Sequence, residues 1–158
     1  KQEISTETIS IKWPNDIYVG KNKICGILIS NKFRAGIYKT SIVGVGFNVN
    51  QTMFGSNIPN PTSLKIIKGI DYELNVVLDS IMHYILTQYE KLRSGKKTEI
   101  DEKYLANLLY LGEEREYYYR DNLIRGTIKG VTEEGFLLLE TSDNKSITCD
   151  LKELRFIH

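Results

Sequence analysis

One charged side chain near the start of the chain, Lys23, has the chemistry to stabilise a developing anion. Lys23 follows turn residues and precedes an apolar run, which predicts that its ammonium emerges at the edge of a sheet. An ammonium is a compact point charge with three donors, suited to neutralising a carboxylate or phosphate as charge develops during acyl transfer. The alternative is a turn lysine in water, like Lys21, because turn lysines are common.

Asn15 and Asp16 set an amide beside a carboxylate at the end of a predicted strand. Such a pair could orient a phosphate and its Mg²⁺, because hard cations prefer oxygen ligands. A simple turn after Pro14 is the alternative. Gly26 and Gly46 interrupt otherwise bulky strands, which marks the close approach of a ligand or, equally well, of a packed helix.

Asn48 ends a Gly-x-Gly-x-Asn stretch that we predict to be a strand. A buried amide at this position must find partners, and either a purine edge or the neighbouring backbone would supply them. The stretch is not a dinucleotide fingerprint, because the third glycine and the helix opening are absent. Cys25 lies in an apolar run and is interpreted as a small buried residue rather than a nucleophile.

The elements that must position these residues are strands followed by helices. Alternating or continuous apolar patterns predict strands at 6–11, 17–19, 24–29 and 36–50. Residues 24–29 form an apolar run that predicts a strand buried on both faces. Residues 42–47 are apolar at every non-glycine position, which predicts a central strand covered on both faces. Helices are predicted at 64–68, at about 74–92 with Asp71 as cap and one face packed on the sheet, and at 98–108.

From Gly112 onward the sequence changes to short strand patterns separated by turn signals. Five such strands are predicted, at 115–119, 123–131, 136–140, 146–149 and 154–157. Short strands at this spacing are typical of a small barrel. We therefore place a domain boundary near Leu111, with domains at 1–111 and 112–158, and interpret Trp13 as a core or hairpin anchor.

The composition of the whole chain argues against several classes of partner. The 158 residues carry 21 Lys and Arg against 20 Asp and Glu, a net charge of +1, which is no electrostatic footprint for nucleic acid or an anionic membrane. The two cysteines form no disulfide or zinc pattern, so a reducing cytoplasm is the simpler setting. The chain does not begin with Met, and we expect that an N-terminal part is missing.

Four motifs in fixed order resemble the biotin protein ligase family. They are K-W-P-N-D at 12–16, K-x-x-G-I-L at 23–28, G-x-G-x-N-x-N at 44–50 and P-T-S-L at 61–64. The resemblance implies an α+β fold in which a mixed sheet packed by helices forms the later part of the catalytic domain, followed by a small all-β SH3-like barrel. It also implies that biotin and magnesium-ATP form biotinyl-5'-adenylate, which then biotinylates a lysine of a carboxyl carrier protein.

The same resemblance assigns roles to particular residues. Lys23 matches the catalytic lysine that contacts the biotin carboxyl and the phosphate, and Asn15 and Asp16 match the pair near the phosphate and its metal. Asn48 matches the asparagine near the adenine. Gly26 and Gly46 would let biotin or the adenylate lie against the sheet, as close approach to backbone requires.

One family feature is missing from the 158 residues, the Gly/Arg-rich loop that precedes K-W-P-N-D and folds over biotin and the adenylate. We therefore expect the chain to be inactive alone. A lipoate-type ligase or transferase and a non-catalytic protein-binding module are the rival hypotheses. An upstream DNA-binding segment and a homodimer both stay open.

Overall fold

The computed structural model describes residues 8–56 and 59–157, so the first two residues of the predicted strand at 6–11 lie outside the described residues. The chain divides into two compact units. One unit holds residues 8–10 and 15–100 of the described chain, and the other holds residues 11–14 and 101–157. Each unit has a sheet and a hydrophobic cluster of its own.

The sheet of the first unit is built from hairpins. Its order is β1-β2-β3-β4, with β1 at Ile9–Lys12, β2 at Asp16–Val19, β3 at Asn22–Arg34 and β4 at Ile37–Phe47. The β2/β3 and β3/β4 pairs are antiparallel, since short turns connect strands that reverse direction. The expectation of a mixed sheet is corrected in this respect. The α+β class is confirmed.

Two burial predictions for this sheet were wrong. We expected the strand at 24–29 and the strand at 36–50 to be covered on both faces. In the structure Ile24 and Cys25 are buried, but the side chains from Leu28 onward along β3 and most of β4 are exposed. An apolar run makes a strand suitable for burial on both faces. The strand is buried only where another element of the structure packs against it.

Three helices follow, with α1 at Leu64–Lys68, α2 at Leu74–Arg93 and α3 at Lys97–Ala106. The Ser63 hydroxyl caps α1 by accepting from the Ile66 N–H at 3.2 Å, as the Pro-Thr-Ser start predicted. Asp71 does not cap α2, because Glu73 precedes the first turn without a side-chain cap, and Asp71 instead pairs with Lys65 at 2.8 Å.

Helix α2 presents an apolar row to the sheet without being buried by it. Ile81, Tyr84 and Ile85 line an apolar cavity of about 280 Å³ together with side chains of β2, β3 and β4. No residue of α2, all of which is described, is buried. The predicted packing on the sheet is thus present only as this loose contact. None of the described helices is long and apolar enough to cross a membrane.

The second unit contains a five-stranded antiparallel sheet of order β8-β7-β6-β5-β9. Its strands are β5 at Glu114–Tyr119, β6 at Asn122–Val131, β7 at Leu137–Thr141, β8 at Ser146–Cys149 and β9 at Leu154–Phe156. Each strand begins and ends within one residue of its predicted bounds. The closure of this sheet into a barrel stays a prediction.

Trp13 belongs to the core of the second unit. It is 4% exposed in a cluster with Tyr117, Ile128, Leu137 and Leu139. Its indole Nε1 donates to the carbonyl of Gly135 at 2.9 Å, which satisfies the polar end of a buried aromatic ring. The interpretation of Trp13 as a core anchor is confirmed.

The second unit includes more of the chain than the predicted boundary at Leu111 implies. Its compact part already contains residues from Asp101 onward, because Tyr104 and Leu105 pack against its hydrophobic cluster and Leu108 is buried within it. The composition shift at Gly112 marks where strands begin, which is a different position from where the packing begins. The assignment of 1–111 to a catalytic domain and 112–158 to a C-terminal domain stays a prediction.

Candidate functional site

Strand pairing brings two of the predicted glycines together on one face of the first sheet. Gly26 pairs with Asp16 on one side and with Gly46 on the other, and Leu28 pairs with Gly44. Because side chains alternate along a strand, these positions share a face. They floor an open cavity of about 470 Å³ whose lining is Asp16, Gly26, Ile27, Leu28, Gly44, Val45 and Gly46.

Lys23 and Asp16 form an ion pair at the end of this cavity. Lys23 Nζ lies 2.6 Å from Asp16 Oδ1, and the two side chains are 31% and 26% exposed. The contact depends on an irregularity in β3, since Ile17 pairs with Cys25 and Tyr18 with Lys23, leaving Ile24 unopposed. An extra residue of this kind changes the face that a side chain points to, so Lys23 joins the face of Gly26.

The three glycines of the cavity differ in what a side chain would meet. A Cβ at Gly26 would lie 3.2 Å from Asp16 Oδ1 and 3.3 Å from Lys23 Nζ. A Cβ at Gly44 or Gly46 would meet only a backbone carbonyl oxygen, at 3.8 and 3.6 Å. Gly26 therefore makes room for the ion pair, whereas Gly44 and Gly46 leave the space above the sheet open.

Gly44 is a lining residue that the sequence-based site omitted. The available signal was the Gly-x-Gly spacing, because residues two apart on a strand share a face.

Asn15 links the two strands of the hairpin that contains Asp16. Its side-chain Nδ2 donates to the carbonyl of Ile27, and the Ile27 N–H donates back to the Asn15 carbonyl at 2.9 Å. These bonds hold β2 against β3 next to the cavity and use the amide in backbone contacts. Contact of Asn15 with a phosphate stays a prediction.

The side-chain amide of Asn48 is hydrogen-bonded to backbone, which is the alternative to a purine edge as its partner. Its Nδ2 donates to the carbonyl of Thr62 at 2.9 Å, and its own N–H donates to the carbonyl of Ile24 at 2.9 Å. Asn50, the second asparagine of the motif, holds Tyr72 in the same way, with bonds of 2.8 and 2.9 Å to its carbonyl and N–H. The predicted contact of Asn48 with adenine stays a prediction.

The segment that Asn48 holds also fixes the backbone of the lysine. Lys23 donates its N–H to the Asn60 carbonyl at 2.8 Å and accepts from the Thr62 N–H at 2.9 Å. The G-x-G-x-N and P-T-S-L motifs thus support the backbone position of Lys23.

Asp16 is the acid among the residues that line the cavity. Among the described residues there is no group of three or more His, Cys, Asp or Glu side chains that could hold a metal ion. When nucleotide phosphates supply most of the ligands of a Mg²⁺ ion, the protein commonly adds only one carboxylate. The carboxylate of Asp16 at this cavity fits such an ion, and its assignment as a Mg²⁺ ligand stays a prediction.

Cys25 is 7% exposed beneath this site. Burial raises the pKa of its thiol, the Asp16 carboxylate raises it further, and the Lys23 ammonium partly offsets both. A thiol whose pKa is raised is a poor nucleophile at neutral pH, in agreement with its interpretation as a buried small residue.

Two family models match this chain. Residues 1–48 match the model described as "Biotin/lipoate A/B protein ligase family", and residues 118–149 match the model described as "Biotin protein ligase C terminal domain". The first match contains the K-W-P-N-D and K-x-x-G-I-L motifs, and the second lies within the five-stranded sheet.

Curated relatives agree with these matches. The chain is 31% identical over 148 residues to the chloroplastic biotin–protein ligase 1 of Arabidopsis thaliana, covering 87% of this chain and 38% of that protein. It is 28% identical over 138 residues to the bifunctional ligase/repressor BirA of Bacillus spizizenii, covering 84% of this chain and 42% of that protein. The chain thus spans less than half the length of these relatives.

Solved structures of a biotin protein ligase from Aquifex aeolicus share the fold. One superposes with a TM-score of 0.73 at 30% identity, covering 97% of this chain and 66% of that chain. Another, in complex with biotin and ATP, gives a TM-score of 0.71 at 32% identity, covering 93% of this chain and 62% of that chain. Both family models, the curated relatives and these structures agree, and the chain belongs to the biotin protein ligase family.

Proposed function

We propose that this chain carries one side of the active site of an ATP-dependent biotin–protein ligase. In the first step a biotin carboxylate oxygen bonds to the α-phosphorus of ATP, the bond to the β-phosphate bridge breaks, and pyrophosphate leaves. In the second step the ε-amine of a carrier-protein lysine attacks the acyl carbon, loses a proton, and AMP leaves. The Aquifex aeolicus relative in complex with biotin and ATP supports this choice of substrates.

The observation that carries the proposal is the position of Lys23 beside a cavity floored by backbone. Its ammonium lies 3.3 Å from where a Cβ at Gly26 would be, at the end where Asp16 lines the cavity. A ligand lying on the glycine floor would bring its carboxylate to this cation. A fixed positive charge at the point where the carboxylate attacks phosphorus stabilises the negative charge of the transition state.

The remaining residues would support this chemistry. Asp16 would hold Mg²⁺ on the ATP phosphates, where the ion neutralises part of their charge. Asn15 would orient a phosphate from the adjacent turn, and Asn48 would lie near the adenine while holding the segment behind Lys23. These roles follow from the match of residues to the family motifs.

The isolated 158-residue chain should not make the adenylate. The Gly/Arg-rich loop of the family is absent from it, and large apolar side chains are exposed on β3 and β4, among them Leu28 at 73% and Ile42 at 61%. A site open on this side does not exclude water from the reaction. Biotin-dependent pyrophosphate release by the isolated chain would contradict this expectation.

We propose a cytoplasmic location, and the two cysteines, both buried and free, support it. Its partner would be the biotin-accepting domain of a carboxyl carrier protein. A homodimer stays an open alternative.

The test is to supply the full-length gene product with ATP, Mg²⁺ and either biotin or lipoate, and to measure pyrophosphate release and labelling of a carrier protein. We expect release and labelling with biotin. Release only with lipoate would make the protein a lipoate-type ligase, the other class that the first family model covers. Carrier binding that is independent of nucleotide, with no release from either acid, would indicate a non-catalytic module.

A further inference from the structure

The ion pair between Asp16 and Lys23 lies directly on the backbone of Gly26. Lys23 Nζ is 2.6 Å from Asp16 Oδ1, and both atoms are within 3.3 Å of the Cβ position at Gly26. Because Asp16 and Gly26 are paired across β2 and β3, the carboxylate is held on the strand opposite the glycine. The Lys23 ammonium therefore has a defined position beside Asp16 at the end of the cavity.

We propose that Asp16 is a positioning residue for Lys23. It holds the ammonium over Gly26 before an anion enters the cavity and releases it to the carboxylate of the entering substrate. This inference rests on the proposed ligase function. It assigns Asp16 a role beyond a contact with phosphate and metal, and it gives a reason for glycine at position 26.

Partial exposure makes such an exchange feasible. The Asp16 and Lys23 side chains are 26% and 31% exposed, so water screens their attraction. Breaking a fully buried pair would leave an uncompensated charge in the protein, at a large cost in free energy. A partly exposed pair can lose one partner to a second carboxylate at a smaller cost.

Both backbone polar groups of Lys23 have hydrogen-bond partners. Its N–H and carbonyl are both bonded, to Asn60 at 2.8 Å and to Thr62 at 2.9 Å. Rotations along the four-carbon stem can carry the ammonium from Asp16 toward the cavity while the strand stays fixed. Asp16 thus selects among positions of a flexible cation, which is the property of a positioning residue.

Four versions of the full-length gene product test the proposal: wild type, Asp16→Asn, Lys23→Gln and the double variant. The assay is biotin-dependent exchange between ATP and pyrophosphate. We expect Asp16→Asn to lower kcat about tenfold, because a misplaced ammonium slows the reaction. KM for biotin should not rise, because the biotin carboxylate no longer competes with the Asp16 carboxylate for the ammonium. In the Lys23→Gln background the same change should alter kcat by less than about twofold.

The control is Asp71→Asn, which breaks the ion pair of Lys65 and Asp71 away from the cavity and should leave kcat and KM at their wild-type values. If Asp16→Asn fails to fold, Gly26→Ala replaces it, because the added Cβ would lie 3.2 Å from Asp16 Oδ1 and 3.3 Å from Lys23 Nζ and would push against the same pair. It should likewise lower kcat in the wild-type background and not in the Lys23→Gln background.

The proposal is overturned if the two single effects multiply in the double variant, which would show that Asp16 acts independently, for example on Mg²⁺. It is also overturned if Asp16→Asn has wild-type kcat and KM. Absence of biotin-dependent exchange in the wild-type protein would instead contradict the ligase function itself. The two failures are therefore distinguishable.

Discussion

Thr62 donates its backbone N–H to the carbonyl of Lys23 at 2.9 Å, and this bond joins two motifs that are far apart in the sequence. Thr62 is 4% exposed, and its own carbonyl accepts from the side chain of Asn48 at 2.9 Å. Asn48 therefore reaches Lys23 through a single intervening residue. This relationship makes the asparagine of the glycine-rich strand part of the support of the lysine.

Asn48→Ala should lower the free energy of unfolding by about 1 kcal/mol, because the buried Thr62 carbonyl loses its donor. Urea denaturation measures this loss. Asn122→Ala is the control, since that side chain donates to the Arg120 carbonyl in an exposed turn, where water can replace it. Unchanged stability together with a raised KM for ATP would favour the purine contact over the backbone contact.

Lys23→Ala in the full-length gene product should slow adenylate formation about a hundredfold, the usual cost of losing one preorganised charge at a developing anion. Lys21→Ala, at the exposed turn two residues earlier, should leave the rate within about twofold of wild type, because a solvated lysine contributes little. Single-turnover measurement of the adenylate compares the two variants. Equal rates would reduce Lys23 to an ordinary turn lysine.

Gly46→Ala should weaken ligand binding with little effect on stability. The new Cβ would meet the Gly26 carbonyl oxygen at 3.6 Å, an ordinary contact, so the free energy of unfolding should change by less than about 1 kcal/mol. The methyl group would project into the cavity from its floor. Calorimetry should show at least tenfold weaker binding of biotin to the full-length gene product, and wild-type affinity would argue against this floor as the binding surface.

Gly126→Ala should destabilise the second unit by about 1–3 kcal/mol, the range for overpacking a core. A Cβ there would lie 2.8 Å from the Glu140 carbonyl oxygen and 3.2 Å from Leu139 Cγ. Gly55→Ala is the matched control, because a Cβ at Gly55 meets nothing within 4 Å. Thermal unfolding should separate the two variants, and equal midpoints would contradict the packing of β6 against β7.

Alkaline pH should weaken the fold through Cys149. Burial, reinforced by Glu153, raises the pKa of this thiol from 9.0 to about 11. The folded state thus favours the neutral thiol, so the associated stability is complete below pH 9 and is lost as pH rises to about 11. Each such group changes the free energy of unfolding by at most about 1.4 kcal/mol per pH unit.

Cys149→Ala tests this pH dependence. Under reducing conditions its free energy of unfolding should fall less steeply between pH 9 and 11 than that of wild type, whereas the two curves should run parallel between pH 6 and 8. Tyr117, whose pKa burial raises to about 12, is present in both proteins and cancels in the difference. Parallel curves over the whole range would show that Cys149 does not contribute.

The local patterns of the sequence were sufficient to predict most elements. The five strands of the second unit, the Ser63 start of α1 and the hairpin of β2 and β3 lie within a few residues of their predicted positions. Alternation, turn residues and caps are properties of neighbouring residues, which is why sequence alone determined them. The same holds for the motif series that identified the family.

Only the tertiary structure decided which of these residues meet. The unopposed Ile24 shifts Lys23 onto the face of Gly26 and brings it to Asp16, and no periodicity in the sequence marks that irregularity. Burial of Trp13 in the second unit, and exposure of β4 despite its apolar run, depend on which surfaces pack together. A chain's own pattern shows what each strand can bury, but strand register and packing between elements determine what it does bury.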